Sequence, residues 1–222
     1  MSFKFAIMLA AFLLAGTPIV FADNAPACGT AACTAGKVAE SDDLVRPLIK
    51  GAVAPDGLLQ KMDGKEVHLK DLLKQKPTVL IFYRGSWCPY CNMHLYKLQA
   101  IESDLHHLGF QILAVTPDNV AHLKDMSDRN KLTYTLLSDR SMKLTEAFGL
   151  AYKVGPDMME TLKKYGHNLD ASTGNSLHEL PVPAAYVINR DGKILYSYYD
   201  ANFTKRVNPE ALLTAAKMNM NQ

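Results

Sequence analysis

Residues 78 to 115 restrict the fold of this chain more than any other stretch. Thr78-Val79-Leu80-Ile81-Phe82-Tyr83 is apolar at nearly every position, which suits a central strand covered on both faces. Leu95, Leu98, Ile101, Leu105 and Leu108 then recur at three- and four-residue steps, one buried stripe of a helix that Gly109 ends. Phe110 to Val115 is a second apolar run. Strand, helix and strand in this order require parallel strands and a right-handed crossover. The class is α/β, with helices covering a sheet.

At the first junction of that unit stands Trp87-Cys88-Pro89-Tyr90-Cys91. Two cysteines separated by two residues can close a small disulfide and reopen it by exchange with a partner. A cysteine in the first turn of a helix also faces unpaired backbone N–H groups and the positive end of the helix dipole, both of which favour thiolate. The spacing predicts Cys88 as the exposed attacking sulfur and Cys91, one turn inside, as the buried resolving one. Arg84 lies four residues earlier; it adds positive charge there or stays on the surface. An inert staple would constrain few residues, and a zinc site would need a second pair of ligands, for which Cys28 and Cys33 are the poorly placed candidates. Redox chemistry is the reading that remains.

The rest of the chain fills out the sheet. Asp42 to Ile49 reads as a short helix, and Leu58 to Met62 with Glu66 to His68 as a hairpin across Asp63-Gly64. Helices are expected at Leu69–Leu73, Asn119–Arg129, Met142–Phe148 and Asp157–Tyr165, a strand at Tyr134–Leu137, and a loop around Asp170, Gly174 and Asn175. Ala184–Asn189 and Lys193–Tyr199 form a hairpin over Arg190-Asp191-Gly192, and Asn208-Pro209 opens a last helix to Met218. Pro183 stands at a strand entrance, where it is either a plain edge proline or holds a cis bond that turns the backbone of Val182 outward.

The N-terminus has the layout of a secretory leader: Lys4, an apolar core from Phe5 to Leu14, then Gly16, Pro18 and small residues up to Ala22. The expected divisions are a signal peptide over 1–22, a small-residue segment with Cys28 and Cys33 over 23–43, and one domain over 44–222. The apolar core is too short to span a bilayer, so no stable membrane insertion is expected after cleavage, and the location is periplasmic or secreted. Residues 1–22 carry one charge, Lys4; without it 23 basic residues face 22 acidic ones, a balance that gives no field for nucleic acid.

With these elements placed, the chain resembles the thioredoxin-fold redoxins, and more narrowly the peroxiredoxin-like branch of the alkyl hydroperoxide reductase and thiol-specific antioxidant superfamily. The likeness rests on Ala54-Pro55-Asp56 with Asp63-Gly64-Lys65, on Tyr83 to Asn92, on Leu180 to Ala184, and on Val187 to Gly192. It implies a thioredoxin-like central mixed sheet flanked by helices, with an N-terminal hairpin extension and an insertion before the cis-proline strand. It further implies Cys88 as nucleophile, Cys91 as resolving partner and Pro183 as the cis-proline beside them, with Trp87, Pro89, Tyr90, Val182 and Arg84 meeting the substrate. Where typical peroxiredoxins place Pro-x-x-x-Thr-x-x-Cys, this chain has Ile81 and Gly85, and Pro183 stands where they carry an arginine. Only Arg84 or Ser86 is left to polarise a peroxide O–O bond. His94 replaces a glutamate found in related exported reductases; an exposed histidine with no special role is the simpler reading, and proton transfer the sharper one.

The leading expectation is an exported thiol–disulfide oxidoreductase acting on a disulfide-bearing protein or a small thiol, with a thiol redox partner. The alternatives are a thiol-dependent peroxidase acting on peroxide, and a copper chaperone binding through Cys88 and Cys91 with His94, His167 or His178 and the methionines Met158, Met159, Met218 and Met220. No cofactor is expected beyond the Cys88–Cys91 pair itself.

Overall fold

The computed structural model of the chain describes residues 37–220. The predicted signal peptide and both N-terminal cysteines, Cys28 and Cys33, lie outside the described residues. The elements are β1 (Leu58–Lys61), β2 (Glu66–His68), α1 (Leu69–Gln75), β3 (Thr78–Phe82), α2 (Pro89–His107), β4 (Gln111–Thr116), α3 (Val120–Asn130), β5 (Thr135–Ser138), α4 (Lys143–Ala147), β6 (Ala151–Lys153), α5 (Pro156–Lys164), α6 (Leu169–Thr173), β7 (Glu179–Pro181), β8 (Ala184–Ile188), β9 (Ile194–Tyr199) and α7 (Pro209–Met218).

Seven strands form one mixed sheet in the order β2-β1-β5-β4-β3-β8-β9. β3 pairs in parallel with β4 and β4 with β5, the arrangement required by the crossover through α2. β8 runs antiparallel to β3, with Phe82 opposite Ala184, and carries the hairpin to β9. All five residues of β3 are buried, so its alternating side chains feed two cores. Val79 and Ile81 face α2 and α7, while Leu80 and Phe82 face α1 and α4. The stripe Leu95, Leu98, Ile101 and Leu105 closes the first core, each side chain contributing about 1.5–3 kcal/mol by burial. That packing fixes the start of α2 against the end of β3.

Three expectations differ from the structure, and one ribbon was not anticipated. Asp42–Ile49 holds only a single 3₁₀ turn, Asp42–Leu44. Pro47 biases Arg46 toward extended backbone, and the amides of Arg46 and Leu48 donate to Gly149 and Phe148 instead. The loop around Asp170 contains α6, because the Asn168 side chain accepts from the Ala171 amide at 3.1 Å and Gly174, at φ 69°, ends the turn. β6 and β7 pair antiparallel as a separate two-stranded ribbon, each too short to show a period. The Val182–Pro183 peptide is trans, like every peptide bond among the described residues. Val182 extends the ribbon by donating its amide to Leu150 at 2.9 Å, so that amide points into the protein, and its side chain is fully buried.

Candidate active site

The chain leaves β3 through Tyr83, whose amide still donates to Val115, and then turns within Arg84-Gly85-Ser86-Trp87. Three contacts hold this turn. The Asp118 carboxylate accepts from the Ser86 amide at 2.6 Å, Asn92 Nδ2 donates to the Ser86 carbonyl at 3.0 Å, and the Cys88 amide donates to the Gly85 carbonyl at 3.1 Å. Gly85 is required by close approach, because a Cβ there would collide with the indole nitrogen of Trp87.

Cys88 is the N-cap of α2 and Pro89 its first residue. The Cys88 carbonyl accepts from the amides of Cys91 and Asn92, which sets Cys91 one turn along, facing back. Both sulfurs are free thiols or thiolates. The Cys91 thiol donates to Cys88, and that bond, supported by the Cys91 amide and by the charges of Arg84 and Arg206, overcomes burial and lowers the Cys88 pKa to about 6. Cys88 is then roughly nine-tenths thiolate at pH 7. Burial and the neighbouring Cys88 sulfur push the Cys91 thiol well up, so Cys91 keeps its proton until Cys88 has reacted. Cys91 is buried as expected, but the expected exposure of Cys88 is absent: Cys88 is only 1% exposed.

Cys88 belongs to the first core cluster, and the segment after β9 lies against its neighbours. Phe203 stacks on the Arg84 guanidinium at 4.3 Å and meets the Tyr90 ring edge-on at 6.0 Å, and Arg206 donates to the Cys91 sulfur at 3.1 Å. Arg84 is buried, contrary to a surface placement; it also lies over Trp87 at 5.0 Å and donates to the Met158 sulfur at 3.8 Å, while its Nε has no partner. Trp87 is partly exposed, and Pro89 and Tyr90 are exposed beside it. A cleft of about 610 Å³ runs from Trp87 between His122, Arg129 and His167. Pro183 is buried at the level of Tyr83 and contributes packing.

Behind the sulfurs lies a charged group. Asp118 is fully buried at the carboxyl end of β4; one oxygen holds Ser86, the other has no partner, and burial, with a smaller contribution from Cys91, raises its pKa to about 6. His94 is buried too, not exposed: burial and the charge of Arg206 lower its pKa to about 4, so it is neutral at pH 7. Of the remaining copper candidates, His167 packs on Trp87 at 5.7 Å and His178 pairs with Asp170 at 2.9 Å. Among the described residues no three His, Cys, Asp or Glu side chains come together as a metal site.

Sequence reasoning missed Asp118, Phe203 and Arg206. Asp118 had a usable signal, since sites in sheets of this kind sit beyond the carboxyl ends of parallel strands. Phe203 and Arg206 had none: they come from a segment more than a hundred residues away.

The AhpC/TSA family model matches residues 50–197. The chain belongs to the AhpC/TSA family. It is 26% identical over 157 residues to peroxiredoxin Bcp of Escherichia coli, covering 70% of this chain and 88% of that one. Its fold is similar to that of peroxidoxin BcpB from Mycobacterium tuberculosis, with a TM-score of 0.59 at 18% identity over 78% of this chain and 98% of that one. A second likeness is to a putative thiol:disulfide interchange protein DsbE from Chlorobium tepidum, with a TM-score of 0.52 at 22% identity over 78% and 99%. The chain is a thioredoxin-fold oxidoreductase, peroxiredoxin-like in sequence.

Proposed function

We propose that this chain is an exported thiol–disulfide oxidoreductase. The observation that carries the reading is the placement of the pair: Cys88 caps the N-terminus of α2 and its carbonyl accepts from the Cys91 amide, setting Cys91 one turn inside, and in that setting the Cys88 thiol is shifted down and the Cys91 thiol up. The Cys88 thiolate attacks one sulfur of a partner disulfide, and the partner's other sulfur leaves as thiolate. The neutralised Cys88 no longer receives the Cys91 hydrogen bond, and Asp118, the unpaired acid behind it, takes the Cys91 proton. Cys91 then attacks Cys88, closing the Cys88–Cys91 disulfide and releasing the partner as a dithiol; the reverse direction runs the same steps. The segment from Phe203 to Arg206 must part to admit the partner, and the cleft beside Trp87 supplies room for an extended chain. Export rests on the N-terminal sequence alone.

Disulfide is favoured over peroxide because the two groups left to polarise an O–O bond are occupied: Ser86 faces Asp118, and Arg84 lies between two aromatic faces. The peroxidase reading keeps one point in its favour besides the names of the relatives, the unpaired Nε of Arg84. Rapid mixing of the reduced protein with hydrogen peroxide separates them. Oxidation no faster than that of free cysteine is the expected result, and a rate orders of magnitude higher assigns the site to peroxide. The copper reading gains nothing from the geometry; anaerobic Cu(I) titration should show binding no tighter than to a dithiol peptide.

A further inference from the structure

Arg206 adds to the field at Cys88, but the sulfur it touches is Cys91. It stands half-buried in the segment between β9 and α7, and its Nη2 donates to the Cys91 sulfur at 3.1 Å. Nη1 turns back on its own segment and donates to the carbonyls of Phe203 and Lys205, so the guanidinium is held in one orientation against the sulfur. No carboxylate offsets its charge: none of the ion pairs among the described residues includes Arg206. His94, near it, is neutral at pH 7. A guanidinium partly withdrawn from water without an anion is a cost to folding. Its acceptor in the resting pair is a protonated thiol, which accepts weakly. Once Cys91 loses its proton, the same contact becomes a charge-assisted bond, roughly twice as strong. The guanidinium is thus aimed at a charge that the resting pair does not carry on Cys91, the arrangement of a group that stabilises a reacting atom.

We propose that Arg206 is a further catalytic residue, which stabilises the Cys91 thiolate in the resolving step. The proposal rests on the exchange reading above. With Cys88 in a mixed disulfide, Cys91 gives its proton to Asp118 and becomes an anion against Arg206 Nη2. Its electron pair then forms the Cys91–Cys88 bond while the bond from Cys88 to the partner breaks, and the partner sulfur leaves as thiolate. Negative charge sits on Cys91 only between these two events, so Arg206 lowers the barrier of resolution without holding the resting thiol. In the reverse direction an external thiolate attacks Cys88 of the closed disulfide, and Cys91 is the sulfur that leaves. A stabilised anion makes Cys91 the better leaving group, so the same arginine directs incoming thiols to Cys88.

The test uses the reduced chain carrying Cys28→Ser and Cys33→Ser, whose only thiols are Cys88 and Cys91, mixed rapidly at pH 7 with an equimolar amount of 5,5′-dithiobis(2-nitrobenzoate). Attack by Cys88 releases one thionitrobenzoate, and resolution by Cys91 releases the second at a rate independent of reagent concentration. Arg206→Met should slow the first release by no more than about fivefold and the second by about ten- to a hundredfold. Arg206→Gln, which keeps a donor without the charge, should slow the second release nearly as far. Arg206→Lys, which restores the charge, should bring it back to within about fivefold of the parent. A second release that is unchanged without the charge, slowed no more than the first, or no faster with lysine than with methionine overturns the role of Arg206 and leaves the exchange reading standing. A parent chain that releases fewer than two thionitrobenzoates, without closing the Cys88–Cys91 bond, overturns the exchange reading and the role of Arg206 with it.

Discussion

Asp118→Asn should make the protein more stable and less active, and the two effects should part with pH. The Asp118 carboxyl is raised from 3.8 to about 6 chiefly by burial, so keeping it ionised in the folded state at pH 7 costs roughly 3 kcal/mol relative to the unfolded chain. The sign follows from the raised value. The folded state holds the proton more tightly, so the cost is full above about pH 6, shrinks as pH falls toward 3.8, and is absent below it. Asparagine removes the charge and keeps an oxygen for the Ser86 amide, now bonded at 2.6 Å. It also puts an N–H donor where the second carboxylate oxygen has no partner, a penalty of about 1–2 kcal/mol. The net expectation at pH 7 is a gain of about 1–2 kcal/mol, or a rise of about 2–8 °C in Tm. At pH 4 the gain disappears. Urea unfolding of the reduced protein at both pH values reads this directly. Resolution by Cys91, followed as decay of a mixed disulfide at pH 7, should slow by about a hundredfold for want of the proton acceptor. A variant equally destabilised at both pH values would refute the reasoning, because the carboxylate would then be a satisfied structural group.

Other perturbations have signs as definite. Alkylation of the Cys88 thiolate by iodoacetamide should rise through about pH 6, and Arg206→Met should move that midpoint upward and slow the reaction at pH 6 by roughly two- to fivefold, since a partly exposed cation beside the pair is lost. Phe203→Ala should speed alkylation at pH 7 several-fold while costing about 1 kcal/mol or less in a urea melt; no change in rate would mean the segment does not cover the sulfur. Gly85→Ala should cost about 1–3 kcal/mol in the same assay, because the new methyl group meets the indole of Trp87. Tyr186→Phe should be neutral or stabilising by up to about 1 kcal/mol, because that hydroxyl is fully buried without a partner.

The parts of the fold legible in the sequence are those in which one short window carries the whole signal. β3 is buried on both faces and therefore reads as an unbroken apolar run; α2 shows its stripe at helical steps, and Asn208 caps α7 through the Glu210 amide at 3.1 Å. β6 and β7 were illegible because three residues establish no period and each gains its strand character from the other. Pro47 broke an expected helix through a local rule that the apolar spacing overrode. At the site, Cys88 and Cys91 announced themselves by spacing and by position at a strand end. The cis bond that the resemblance implied at Pro183 is absent, since the Val182–Pro183 peptide is trans. The burial of Arg84 and His94 was illegible for a different reason: Phe203 lies on Arg84 and Arg206 stands near His94, both brought in by tertiary folding alone.

The central claim is that Cys88 attacks and Cys91 resolves. Its most direct test is to expose the Cys91→Ser and Cys88→Ser variants, each also lacking Cys28 and Cys33, to a disulfide-bearing protein and separate the products without reductant. The Cys91 variant should accumulate a mixed disulfide at Cys88, and the Cys88 variant, whose Cys91 is buried and protonated, should form none. Accumulation through Cys91, or unimpaired turnover without Cys88, would contradict the account.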